Sequence, residues 1–204
     1  MVKKRSFTIL KKSMSYDEFN KFCKKLTEEY AGSEAQFART YFTEHYNISA
    51  DCYYKVLEHA VVTNLVEDVV VVRMMNKALN NQVANNASAG ATTRAKYARM
   101  YSKRYEFIVH SFSENEIKRF ATDFGDNPDI SKDDFAATYG VNRKVIELLL
   151  VRAIEENIAD NRAVDAIELR SINNAKPGQE EIVKSSFAKL RKNREAYKQG
   201  ITLK

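Results

Sequence analysis

Tyr97, Tyr101 and Tyr105 recur every four residues, and Arg94, Lys96, Arg99, Lys103 and Arg104 lie around them. On a helix such rings form a row, and the cations beside it can meet backbone phosphates while rings stack on bases, as in proteins that bind single strands. The competing reading turns the tyrosines inward as the packing stripe of a connecting helix and leaves the cations facing water. Lys3, Lys4 and Arg5 form an N-terminal arm of the kind that reaches into a DNA groove. Lys189, Arg191 and Lys192 near the other end join Lys3, Lys4, Arg5 and the central cations as expected contacts to a DNA backbone.

Other chemistries lack their residues. His45, His59 and His110 are far apart and none falls in HExxH or a Cys/His cluster, so no metal is expected. Asp123, Asp126, Asp129, Asp133 and Asp134 lack the spacing and terminal glutamate of a calcium loop. There is no phosphate-cradling glycine run and no GxSxG. The expectation is a protein that is not an enzyme, with no catalytic residue, cofactor or small-molecule substrate. Cys23 and Cys52 sit at apolar positions of helical patterns and are expected as free buried thiols. With no secretory h-region and no run of membrane-spanning length, a soluble cytoplasmic protein is expected.

The charge is unevenly placed. Residues 1–12, 94–104 and 176–204 hold 18 of the 33 bases and 3 of the 27 acids, so the remainder is net acidic although the chain carries +6. Basic segments outside acidic modules suit polyanion binding by arms and helices.

Glycine and proline are scarce and apolar residues recur at three and four, so the fold is expected to be all-α. Val69–Val72 has high strand propensity but continues into a helical pattern and is assigned to a helix. The expected organisation is a basic arm at 1–12 and a four-helix module at 13–82. A linker with a basic, tyrosine-rich helix follows at 83–110, then a second four-helix module at 111–175 and a basic C-terminal helix and tail at 176–204. Ser15, Ser49, Ser113, Ser131 and Asn142 read as helix N-caps, Asn47 and Gly140 as left-handed turn residues, and Pro177 as a first-turn residue of the last helix. Ser33 is read as opening the second helix, with Phe37, Tyr41 and Phe42 on one side.

The modules are related. Residues 42–81 and 135–174 align without a gap at eight identical positions, among them Phe42/Phe135, Tyr46/Tyr139, Ala60/Ala153 and Asn64/Asn157. Glycine for asparagine at the turn, and asparagine for serine at the cap, preserve the backbone requirement in each copy, which argues for duplication more strongly than the apolar matches.

The segment 130–150 resembles a helix-turn-helix of the DNA-binding superfamily: a small residue in the first helix (Ala136 or Ala137), a turn Gly140-Val141, a polar cap Asn142 and an aliphatic pair Val145-Ile146. The resemblance implies that Asn142, Arg143, Lys144 and Glu147 face the major groove, and asparagine and arginine suit adenine and guanine. In the first copy Ser49, Ala50, Asp51 and Tyr54 take these places, and Asp51 repels phosphate. Val145–Val151 is apolar nearly all round, so this helix is expected to be covered on several sides. The implied function is double-stranded DNA binding on two half-sites by a regulator or accessory factor of a phage or other mobile element. The alternative is a protein-binding or oligomerising helical module, such as a host-protein binder or a DNA-packaging adaptor.

Overall fold

The computed structural model describes residues 4–33, 38–83 and 87–201. The chain is all-α, and it divides into two compact units, Met1–Phe107 and Ile108–Lys204. The first unit contains α1 (Phe7–Ser13), α2 (Tyr16–Gly32), α3 (Ala38–His45), α4 (Ala50–Val62) and α5 (Asp68–Val83). It ends within α6 (Ala87–Ser111). The second holds α7 (Glu114–Asp126), α8 (Lys132–Thr138), α9 (Arg143–Glu155), α10 (Asn161–Asn173) and α11 (Glu180–Lys198). Among the described residues there is no strand, only an isolated bridge between Arg5 and Ile48. Val69–Val72 lies in α5, as expected. No helix among them is long and apolar enough to cross a membrane.

The duplication extends to individual bonds. Ser15 and Ser113 each open a helix with a reciprocal capping box, to Glu18 and Glu116. Those bonds stabilise the carboxylates and hold both glutamates below their ordinary pKa. Asn47 and Gly140 turn left-handed at φ 48° and 62°, and Asn64 and Asn157 do so at 58° and 57°. Ile48 N–H donates to the Thr43 carbonyl, and Val141 N–H to that of Ala136, at 3.0 Å in each copy. Tyr46 and Tyr139 stand edge-on to Phe22 and Phe120, at 5.3 and 4.9 Å, and their hydroxyls donate to Glu29 and Asp123.

Lys77 and Arg170, a repeat pair, do the same work in both copies. Lys77 donates to the Tyr30 and Ser33 carbonyls and sits 4.8 Å from the Tyr30 ring centre. Arg170 donates to those of Phe124 and Ile130, with its guanidinium 3.7 Å from the Phe124 ring centre. Each cation thus satisfies carbonyls at the end of its module's long first helix and in the loop beyond it.

The expected boundaries change at the last helix of each module. Tyr97, Met100 and Arg104 of α6 are buried in the first unit, as are Phe187 and Arg194 of α11 in the second. Arg104 donates to the Val61 and Val66 carbonyls at 2.9 and 2.7 Å and pairs with Asp68 at 2.9 Å. Arg194 reaches the Ile154 carbonyl at 3.5 Å and the Asn161 side chain at 3.1 Å. Val61/Ile154 and Asp68/Asn161 are repeat pairs, so Arg104 and Arg194 are counterparts, and both leave Nε buried without a bond to another group of the protein. Each module is therefore larger than four helices, and the helices expected as basic connectors close its core. Burying a side chain such as Met100 contributes roughly 1.5–3 kcal/mol, which a solvated connector would forgo.

Two local expectations also move. The arm folds back: residues from Phe7 form α1, capped by Ser6, with Leu10 fully buried. The last helix starts at Glu180, three residues after Pro177, because Gly178 turns left-handed at φ 83°. Residues 34–37, including Phe37, lie outside the described residues.

Candidate nucleic-acid interface

The turn of the second module is closed by local hydrogen bonds. Gly140 N–H donates to the Ala137 carbonyl at 3.1 Å, and the Asn142 side chain accepts from Val145 N–H at 3.0 Å, capping α9. Asn142 is therefore a structural cap with a half-buried side chain, and its carboxamide oxygen is already engaged. Arg143 and Lys144 are exposed on the first turn of α9. Glu147 stands one turn on and holds both, at 3.9 Å from Arg143 and 3.3 Å from Lys144. The structure thus brings three charged side chains together where one helix end projects, with their charges partly cancelled among themselves.

The rest of α9 is covered. α7, α8 and α11 all pack on it, and Val145, Ile146, Leu149, Leu150, Ala153 and Ile154 are buried. This is the covering expected from its apolar circumference. Leu148, placed where a reader helix often carries a polar group, is half-buried. Asp133 and Asp134 in the first turn of α8 add negative charge to the same helix pair.

In the first module Ser49 caps α4 by accepting from Cys52 N–H at 3.1 Å. Ala50, Asp51 and Tyr54 are exposed beyond it. Lys55 answers Asp51 at 2.9 Å, and Lys96 of α6 lies 4.8 Å from the Tyr54 ring centre.

The expected backbone contacts separate into groups. Lys3 lies outside the described residues. Arg5 is part of the fold: its backbone pairs with Asn47 and Ser49 at 3.0 Å, and its guanidinium donates to the Tyr46 carbonyl. Arg104 is buried and Arg191 is clamped by Asp165 and Glu168 at 2.7 and 2.6 Å, bonds that favour its charged form. Each of these three guanidiniums already answers carbonyls or carboxylates of its own unit. Lys103 pairs with Glu58 at 3.1 Å, but both side chains are about half exposed. Lys4, Arg94, Lys96, Arg99, Lys189 and Lys192 are exposed. Of the tyrosines, Tyr97 is in the core and Tyr101 and Tyr105 are half-buried, which bears out the inner-stripe reading.

Among the described residues no three His, Cys, Asp or Glu side chains are grouped to hold a metal. Cys23 and Cys52 are free and buried, and burial pushes their thiols up to about 12 and about 11, so neither is poised as a nucleophile. The chain matches no protein-family model, no curated protein and no solved structure.

Proposed function

We propose that the protein binds double-stranded DNA through the second module. Arg143 and Lys144 would read bases or grip phosphates at the projecting end of α9. The observation that carries this reading is the tight turn at Gly140, which leads into a helix whose capped N-terminus displays two cations to solvent. Asn142 serves chiefly as the cap, and Glu147 fixes the two cations relative to each other. Lys4, Arg94, Lys96, Arg99, Lys189 and Lys192 supply further charge. In the cell this is the work of a cytoplasmic regulator or accessory factor of a phage or other mobile element. The small size and Lys- and Asn-rich composition support that setting.

Fluorescence anisotropy with a random duplex at low salt tests the reading. Measurable binding that weakens with salt is expected, and no binding at low salt ends the proposal. In Arg143→Ala, discrimination between sequences should fall by roughly tenfold, at about 1–3 kcal/mol for an arginine–guanine pair, with non-specific binding nearly unchanged.

The covering of α9 and the carboxylates of Asp133 and Asp134 favour a second reading, a protein-binding or self-associating module. Sedimentation equilibrium of the chain without DNA separates the two for self-association: a concentration-dependent rise in mass supports the second.

A further inference from the structure

The first module contains a cavity of about 230 Å³ lined by Phe7 of α1, Lys55, Glu58, His59 and Val62 of α4, and Lys103 of α6. Lys11 stands close by, its Nζ 5.9 Å from the Phe7 ring centre. Phe7, Val62 and the His59 ring give the cavity an apolar floor, with the Phe7 and His59 rings edge-on at 6.1 Å. Lys55 and Lys103 pair with Asp51 and Glu58, but at side-chain exposures of 42–70% such pairs are weak and open readily to a stronger acceptor.

The duplication shows whether the fold needs these lysines. The repeat register puts Leu148 where Lys55 stands, the Arg104/Arg194 pairing puts Asn193 where Lys103 stands, and the matching caps Ser15 and Ser113 put Val109 where Lys11 stands. In the second module the place of His59 belongs to Arg152, which donates to the Val109 carbonyl and to Glu156 at 2.9 Å each. Asn193 there donates to Glu155. That module closes the same scheme of helices with no lysine at any of the three positions, so packing does not require the cluster. What the lysines do is bring three ammonium groups to the rim of a small apolar-floored cavity, two of them held there by Asp51 and Glu58.

We infer that this cavity binds a phosphodiester of a nucleic-acid strand. The phosphate bridges the Lys55 and Lys103 ammonium groups, Lys11 adds to the field, and the adjoining sugar rests on Phe7 and Val62. The volume is below the ~300–1000 Å³ of drug-sized ligand pockets and suits one phosphate with its attached group. Glu58 on the rim sets the charge: it tolerates the single negative charge of a diester and opposes the second charge of a terminal phosphate. This site is independent of the DNA reading of the second module, and the variants below separate the two.

The test follows the His59 ring signals by NMR in the full chain, titrated at fixed ionic strength with a short random duplex, a nucleoside monophosphate and inorganic phosphate. The duplex should shift the His59 signals in the wild type, and the double variant Lys55→Gln, Lys103→Gln should weaken that response by about tenfold or more, as expected on losing charge-assisted bonds. Arg143→Ala should leave the His59 response intact even where it changes sequence discrimination. Glu58→Gln should raise the affinity for the monophosphate towards that for the duplex. The double variant should melt as the wild type does, since both side chains are exposed and uncharged residues hold these places in the second module. His59 signals indifferent to the duplex, or an unchanged response in the double variant, overturn the site. Preference for the monophosphate overturns the strand assignment, and an equal response to inorganic phosphate marks an adventitious anion only and overturns it too.

Discussion

At the scale of single residues, the left-handed positions carry the clearest physical requirement. At Gly140 (φ 62°) an added Cβ would meet nothing within 4 Å, so substitution there tests backbone strain alone. Gly140→Ala should destabilise by about 1 kcal/mol, while Gly140→Asn should be nearly neutral, as Asn47 in the first copy shows that the turn accepts asparagine. Denaturant midpoints measure both. His59 has a different constraint. Burial, and then Lys11, hold its folded pKa below the ordinary histidine value, so the unfolded chain takes up the proton more readily. Its contribution to stability is therefore full above the unfolded pKa and lost as pH falls through the folded one. The melting temperature should drop on acidification below the ordinary histidine pKa, and His59→Gln should flatten that part of the profile.

At the scale of elements, the two copies keep one architecture while exchanging its chemistry. α6 and α11 close their modules with an arginine on carbonyls near the end of α4 and α9, so these arginines act as pins rather than as surface charge. Arg104→Ala leaves the Val66 carbonyl without its donor and the Val61 carbonyl with backbone N–H donors alone, and should cost about 2–3 kcal/mol, seen as faster hydrogen exchange through α4 and α6. Arg104→Lys should restore only part of this, because one ammonium cannot span the positions that a planar fork reaches. Elsewhere α7 and α10 approach closely at Gly125, where an added Cβ would lie 2.9 Å from that of Ala166. The glycine there is a packing requirement.

At the scale of the whole molecule, net charge is a poor guide to the charge available for a ligand. The chain carries +6, and its basic segments looked like free arms, yet Arg5, Arg104, Arg191 and Arg194 are engaged within their own units. The exposed cations Arg143, Lys144, Lys4, Arg94, Lys96, Arg99, Lys189 and Lys192 are then the ones left to meet phosphates. The slope of log K against log salt should have a magnitude of about 8 or less, at roughly 0.9 for each phosphate contacted. A magnitude well above about 10 would mean that internally paired arginines open on the DNA. Titrations of duplex at several salt concentrations measure it.

The amino-acid order alone determined what is local or periodic. Ser15, Ser49, Ser113, Ser131 and Asn142 cap the helices they were expected to cap, Asn47 and Gly140 turn left-handed, and the ungapped register of 42–81 on 135–174 is the register of the backbone bonds. Caps and turns depend on neighbours within a few residues, so their physics is written in short stretches. Tertiary structure alone decided which cations are surface and which are pins. Arg104 finds its carbonyls 43 and 38 residues back and Arg194 finds Ile154 40 residues back, and nothing in the sequence around an arginine tells such a pin from a solvated charge. The lysine cavity was hidden for the same reason: Lys55 and Lys103 become neighbours only when α6 packs beside α4.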